Sequence, residues 1–212
     1  MTISSSEVNM CGMFCWCESL KVLDVSSFDT SNVTSMFAMF RGCSSLTSIT
    51  IPEGVTFIGK DAFAYCTAIE ELTVPASVTQ IDGYAFYNCT SLSGITFVQG
   101  LQTIGKYAFN NCSTISGDLT IPDSVTSLGE YAFQGCSGLD GTLTLSNQLT
   151  FIPPHAFRGC NNITGVLVIP DSVETIADCA FQYMSGLKKI VFGAGLRRIS
   201  GATSVSSFPF YG

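Results

Sequence analysis

One phenylalanine returns eight times along this chain, at Phe14, Phe40, Phe63, Phe86, Phe109, Phe133, Phe157 and Phe181, with spacings of 26, 23, 23, 23, 24, 24 and 24 residues. Three residues after each of the first seven stands a cysteine: Cys17, Cys43, Cys66, Cys89, Cys112, Cys136 and Cys160. A unit this short cannot bury its own apolar face, so a period in the twenties dictates a stack in which each coil is covered by its neighbours. The expected architecture is one α/β solenoid of about eight coils. Such arrays present long regular surfaces and work by binding.

Each coil carries two alternating segments. Leu72-Thr73-Val74 reads in, out, in, and so do Ile95-Thr96-Phe97, Leu119-Thr120-Ile121, Leu143-Thr144-Leu145 and Leu167-Val168-Ile169. These predict short strands, stopped by Pro75, Pro122 or Pro170 because proline has no ladder donor. Stacked at about 4.8 Å they should make one parallel sheet, in a rod about 40 Å long. A second segment follows, as at Val78 to Ile81 or Val125 to Leu128, after which Gly59, Gly105 or Gly129 is expected to turn the chain. Ala62, Phe63, Cys66 and Ile69 are spaced to face inward from one short helical turn. From Phe109 onward the coils lengthen by one residue, a glycine ahead of the strand (Gly117, Gly141, Gly165).

The tract AFxxCxxLxxLxIPxxVxxIG, at 62 to 83, 85 to 105, 108 to 129 and 132 to 152, resembles the treponemal-type leucine-rich repeat of BspA-like surface proteins. The tract SLKVLDVSSFDTSNVTSMFAMFRGCSSLTSI, at 19 to 49, resembles the mycoplasma-lipoprotein-type repeat that often accompanies it. The resemblance implies a single right-handed leucine-rich-repeat solenoid over 1–212, with mycoplasma-type repeats at 10–49, treponemal-type repeats at 50–200 and a non-repeat tail at 201–212. It further implies a non-enzymatic module, displayed at the cell surface or secreted, that adheres to a host matrix protein or glycan. The alternative is a structural spacer within a larger surface protein. Met184 stands where the cysteine file should continue. The first repeat begins by Met10 with no cap or leader ahead of it, so the chain is expected to be a fragment or the product of a mis-started reading frame.

Composition narrows the partners. Charged residues are 12% of the chain, about half the usual share, and the net charge is −7. No basic stripe exists to track phosphates, which argues against nucleic acid, and no apolar run of about 18 residues is present to span a membrane. Four of the nine basic residues, Lys188, Lys189, Arg197 and Arg198, fall in the last coil.

The chemistry-bearing residues read as scaffold. Cysteines stacked in one file project in parallel, so they are expected to be free thiols, buried and donating weakly to loop carbonyls, not a disulfide framework. Cys11, Cys15 and Cys17 cluster but lack the second pair and the histidine of a zinc site. His155 is the single histidine and is expected to be exposed in a variable loop, in the position of Asp61, Tyr84, Tyr107 and Tyr131. No nucleophile elbow, phosphate loop or paired carboxylates accompany it, so neither an enzyme nor a cofactor is expected. The candidate ligand-binding feature is the outward row of the first strand, Asp24, Thr50, Thr73, Thr96, Thr120, Thr144, Val168 and Val191, with the five threonines as its centre. Thr suits an exposed strand on propensity alone. The mixed row beside it, Ser48, Glu71, Gly94, Asp118, Thr142 and Val166, lacks the second threonine file of an ice-binding lattice. Tyr84, Tyr87, Tyr107 and Tyr131 offer a second contact line.

Overall fold

The computed structural model describes residues 8–23, 33–51 and 54–200. Among them six successive coils each carry two short strands, giving a parallel-strand solenoid of about six complete turns. The first strands are β4 (Glu71–Thr73), β6 (Gly94–Thr96), β8 (Leu119–Thr120), β10 (Leu143–Thr144), β12 (Gly165–Val168) and β14 (Leu187–Val191). The second strands are β5 (Gln80–Ile81), β7 (Thr103–Ile104), β9 (Ser127–Leu128), β11 (Phe151–Ile152), β13 (Thr175–Ile176) and β15 (Arg198–Ile199), preceded by β3 (Phe57–Ile58). At the start of the chain β1 (Val8–Asn9) pairs with β2 (Val33–Ser35), and Phe14 and Phe40 prolong the stack.

The repeating phenylalanine is the axis of the core. Eight rings stack in one file from Phe14 to Phe181, with centroids 5.1–5.6 Å apart and planes within 13° of parallel. Burying one such side chain is worth about 1.5–3 kcal/mol, and each ring contact adds about 0.5–1.5 kcal/mol. Files of alanine (Ala62 to Ala180), cysteine (Cys43 to Cys160) and aliphatic residues such as Ile58, Ile81, Ile104, Ile152 and Ile176 run beside it, all buried. Met184 fills the cysteine position of the last coil with a buried thioether.

The helical turns expected around Ala-Phe do not form. Among the described residues there is no helix, and the α/β expectation is corrected to an all-strand-and-turn solenoid. The cause is the backbone two residues either side of each phenylalanine. At Asp61 and Tyr65, Tyr84 and Asn88, Tyr107 and Asn111, and Cys179 and Tyr183, φ is positive, near 60°. At Phe133 and Phe157 the pairs are Tyr131 with Gly135 and His155 with Gly159. A left-handed residue every fourth position cannot continue a right-handed helix. The donors alternate instead. Ala62, Ala64 and Cys66 donate three residues back within the coil, while Asp61, Phe63 and Tyr65 donate to Gly83, Ala85 and Tyr87 of the next coil. Each turn is thereby tied to its neighbour as firmly as the strands are.

The strands depart from a single continuous sheet. First strands pair two by two, β4 with β6, β8 with β10 and β12 with β14. Between β6 and β8 the first extra residue enters, with Gly117 at φ 80°, and the added backbone takes β8 out of step with β6. The second strands make the longer ladder, β3-β5-β7-β9, then β11-β13-β15. The break has a chemical origin. The residue after each second strand donates to the coil before: Asp82 to Ile58, Gly105 to Ile81, Gly129 to Ile104, Ala177 to Ile152. Between them this place falls to Pro153, which has no N–H, and the ladder stops there.

Gly105 and Gly129 differ from their expected turning role. Neither has positive φ; a Cβ on Gly129 would lie 2.3 Å from the backbone of Gly105 and Lys106, and one on Gly105 2.5 Å from that of Asp82 and Gly83. Glycine is required there by the close approach of successive coils.

Candidate functional site

Two faces carry exposed, ordered side chains. On the first-strand face, alternation puts Leu72, Leu119, Leu143 and Leu167 into the core and their successors outward. Thr50, Thr73, Thr96, Thr120 and Thr144 are all exposed. Thr73 lies in register with Thr96, Thr120 with Thr144, and Val168 with Val191. The structure brings four of the five together in two pairs, with a step between Thr96 and Thr120 where β6 and β8 part, while Thr50 is exposed outside any strand. Asp24, the first member of the row, lies outside the described residues. Toward the C-terminal coils the face turns apolar through exposed Val166, Val168 and Val191. A shallow groove follows the seam between β10 and β12, lined by Thr142, Thr144, Asn147, Val166, Val168 and Pro170.

The surface needs few charges because side-chain hydroxyls cap the carbonyls of adjacent coils. Ser77 donates to Val55 O at 2.8 Å, Thr114 to Thr90 O at 2.8 Å and Ser172 to Leu149 O at 2.8 Å. Ser146, standing where other coils have proline, is buried and donates to Val125 O at 2.7 Å. These polar residues satisfy backbone groups the stack would otherwise leave orphaned.

The turn face carries a second file. Tyr84, Tyr107, Tyr131 and His155 occupy one left-handed position in four successive coils and stack at 4.7, 4.5 and 4.5 Å. Each non-glycine residue in this conformation costs on the order of 1–3 kcal/mol. The backbone bonds to the next coil, Tyr84 N–H to Lys106 O, Tyr107 to Glu130 O and Tyr131 to Pro154 O, hold it in place. Lys106 Nζ lies 5.5 Å from the Tyr107 ring centre and 5.9 Å from that of Tyr131, and pairs with Glu130. Sequence reasoning put these residues at one repeat position and read the tyrosines as a contact line. It did not find the ring-on-ring stacking that takes in His155, which depends on the backbone conformation two residues before phenylalanine.

His155 is half-buried in this file and not an exposed loop residue. Burial, and then the nearby Arg158, lower its pKa, which favours the neutral ring. Its Nδ1 is enclosed without a hydrogen-bond partner, unlike the histidine of a Ser-His-Asp triad, whose Nδ1 is held by a carboxylate.

The thiols behave as structural groups. Cys43, Cys66, Cys89, Cys112, Cys136 and Cys160 are buried and free, and each donates to the carbonyl of a phenylalanine one coil earlier at 3.0–3.2 Å. Burial pushes the Cys43 thiol up to about 11 and the Cys160 thiol up to about 12, and raises the others. A thiol so protected is neither nucleophile nor ligand. Cys17, the first of the file expected to be buried, is instead exposed, as is Cys11, and Cys15 is half-exposed.

A family model described as "BspA type Leucine rich repeat region" matches the sequence in six copies, over residues 11–140 and 117–205. Among solved structures, a leucine-rich repeat protein from Bacteroides ovatus is similar with 31% identity and a TM-score of 0.70, over 75% of this chain and 40% of that one. The T. pallidum leucine-rich repeat protein is 27% identical at a TM-score of 0.58, over 81% of this chain and 68% of that one. A leucine-rich repeat protein from Eubacterium ventriosum shares the fold at 22% identity and a TM-score of 0.59, over 78% of this chain and 51% of that one. The chain thus spans well under two thirds of two of these relatives. No curated protein sequence matches it. Among the described residues no helix is long and apolar enough to cross a membrane.

Proposed function

Because the chain belongs to the BspA-type leucine-rich-repeat family, we propose that it is a non-enzymatic binding module of a surface or secreted protein, adhering to a host matrix protein or glycan through its first-strand face. The observation that supports this reading is the exposed row Thr73, Thr96, Thr120 and Thr144, set pairwise in register and continued by Val168 and Val191. Threonines contribute hydroxyls and methyls at coil spacing, and the valines add apolar area. Many weak contacts spread over adjacent coils sum to a useful affinity without a deep pocket. The groove between β10 and β12 provides a concavity on that face, where an extended segment or glycan chain would sit.

The test is saturable binding of residues 1–212 to immobilised matrix glycoproteins and glycans, with Thr73→Lys, Thr96→Lys and Thr120→Lys combined as the control. The reading expects binding that the triple variant loses while its melting temperature holds. Binding unaffected by the substitutions would remove the strand face from the account. No binding to any of the panel would favour the spacer.

A further inference from the structure

The aromatic file on the turn face stops abruptly, and the stop creates a cleft. Tyr84, Tyr107, Tyr131 and His155 each supply a ring at one position of their coils. In the coil before Tyr84 that position is Asp61. Tyr84 is therefore stacked on Tyr107 on one side, while among the described residues no ring from the preceding coil stacks on the other. The space is lined by Arg41, Lys60, Asp61, Tyr65, Tyr84 and Tyr87. Tyr87 stands at 5.5 Å and a 57° tilt to Tyr84 and edge-on to Tyr65, so three half-exposed tyrosines wall one corner. Asp61 is buried and holds Arg41 at 2.9 Å. Lys60 is exposed, its Nζ 5.9 Å from the Tyr84 ring centre.

We propose that this cleft binds an acidic pyranose of the hexuronate type, its ring laid against Tyr84 in place of the Lys60 ammonium that stands over it, and its carboxylate paired with that ammonium. The C–H face of a pyranose takes the place of the missing ring in the file, a contact suited to the negative face of an aromatic. The remaining lining is polar, and a purely aromatic guest would cover Lys60 and tyrosine hydroxyls without partners; sugar hydroxyls provide the partners such groups require. The preference for an acid follows from charge. The Asp61 carboxylate is committed to Arg41, which leaves the Lys60 ammonium as the cation for a guest. The site lies on the turn face, so it stands or falls separately from the strand-face reading.

Calorimetric titration of residues 1–212 with trigalacturonate, galactotriose and AMP tests the proposal. Trp16, the single tryptophan, stacks on Tyr65 beside Arg41 and gives a parallel fluorescence signal. Trigalacturonate is expected to bind saturably and at least about tenfold tighter than galactotriose, the size of one charge-assisted contact. Lys60→Met should remove that preference, and Asp61→Tyr, which installs the residue found at 84, 107 and 131, should fill the cleft and abolish binding in a folded chain. Thr73→Lys with Thr120→Lys should leave it unchanged. Absence of saturable binding, equal binding of the neutral sugar, tighter binding of AMP, or binding that survives Asp61→Tyr would each overturn the assignment.

Discussion

At the scale of single residues, the buried phenylalanine and cysteine of the repeat both make testable demands. Phe109 is fully buried and stacked on Phe86 and Phe133. Phe109→Ala should cost about 3–5 kcal/mol, read as a lowered denaturant midpoint. An unchanged midpoint would place the core elsewhere. The cysteines supply a pH signature. Below the ordinary thiol pKa of 9.0 both folded and unfolded chains hold neutral thiols, and stability is untouched. Above it the unfolded chain ionises first, because the folded pKa values are raised, so stability is lost as pH climbs toward about 11 for Cys43 and about 12 for Cys160. The urea midpoint should be flat from neutrality to pH 9.0 and fall beyond it, less steeply when Cys112 and Cys136 are both alanine. In the native state an aromatic disulfide reagent should titrate Cys11 and Cys17 and spare the buried thiols from Cys43 to Cys160 until unfolding. The thiol environment from Cys43 to Cys160 was legible in the sequence, since a file of small residues at fixed period stacks; the exposure of Cys17 was not. The state of His155 was not, because its enclosure comes from Tyr131 in the adjacent coil.

At the scale of elements, the strands followed from alternation, but the turns did not follow from periodicity. Apolar spacing at Ala62, Phe63, Cys66 and Ile69 is the same for a helical turn as for the observed left-handed corner, and all four residues are buried either way. What separates the two is the destination of the backbone donors, half of which go to a neighbouring coil. Spacing within one repeat cannot report that. Close coil contact also sorts the glycines. Gly129→Ala should destabilise by about 1–3 kcal/mol through overpacking. Gly94→Ala, with open space around its Cβ and no positive φ, should change stability by less than about 0.5 kcal/mol. Equal effects would show that the coil spacing is looser than described. Pro153→Ala restores the missing donor at a place where Ala177 already makes the bond one coil later. The gained hydrogen bond, about 1 kcal/mol, is offset by a freer unfolded chain, about 0.4–1 kcal/mol. Global stability should therefore barely move. Amide exchange at residue 153 should become slow as β9 and β11 join; fast exchange there would mean the ladder break has another cause.

At the scale of the molecule, the array separates structure from recognition. The interior files repeat almost without variation, so they specify the stack and say nothing about a ligand. Apart from interior changes such as Met184 and Ser146, variation gathers on the strand and turn faces, where the threonine row runs into Val168 and Val191 and the tyrosine file gives way to Asp61. The candidate strand row was visible from alternation alone. Its stepped pairing was not, because it depends on how the residue added ahead of β8 shifts one coil against the next. The most direct test of the binding account is surface plasmon resonance of residues 1–212 against a matrix ligand retained by the panel, run beside the Thr73→Lys, Thr96→Lys, Thr120→Lys chain and the Asp61→Tyr chain. The account predicts that the triple variant loses at least about tenfold in affinity, more than 1.4 kcal/mol, while Asp61→Tyr matches the parent. Undiminished binding by the folded triple variant would contradict it.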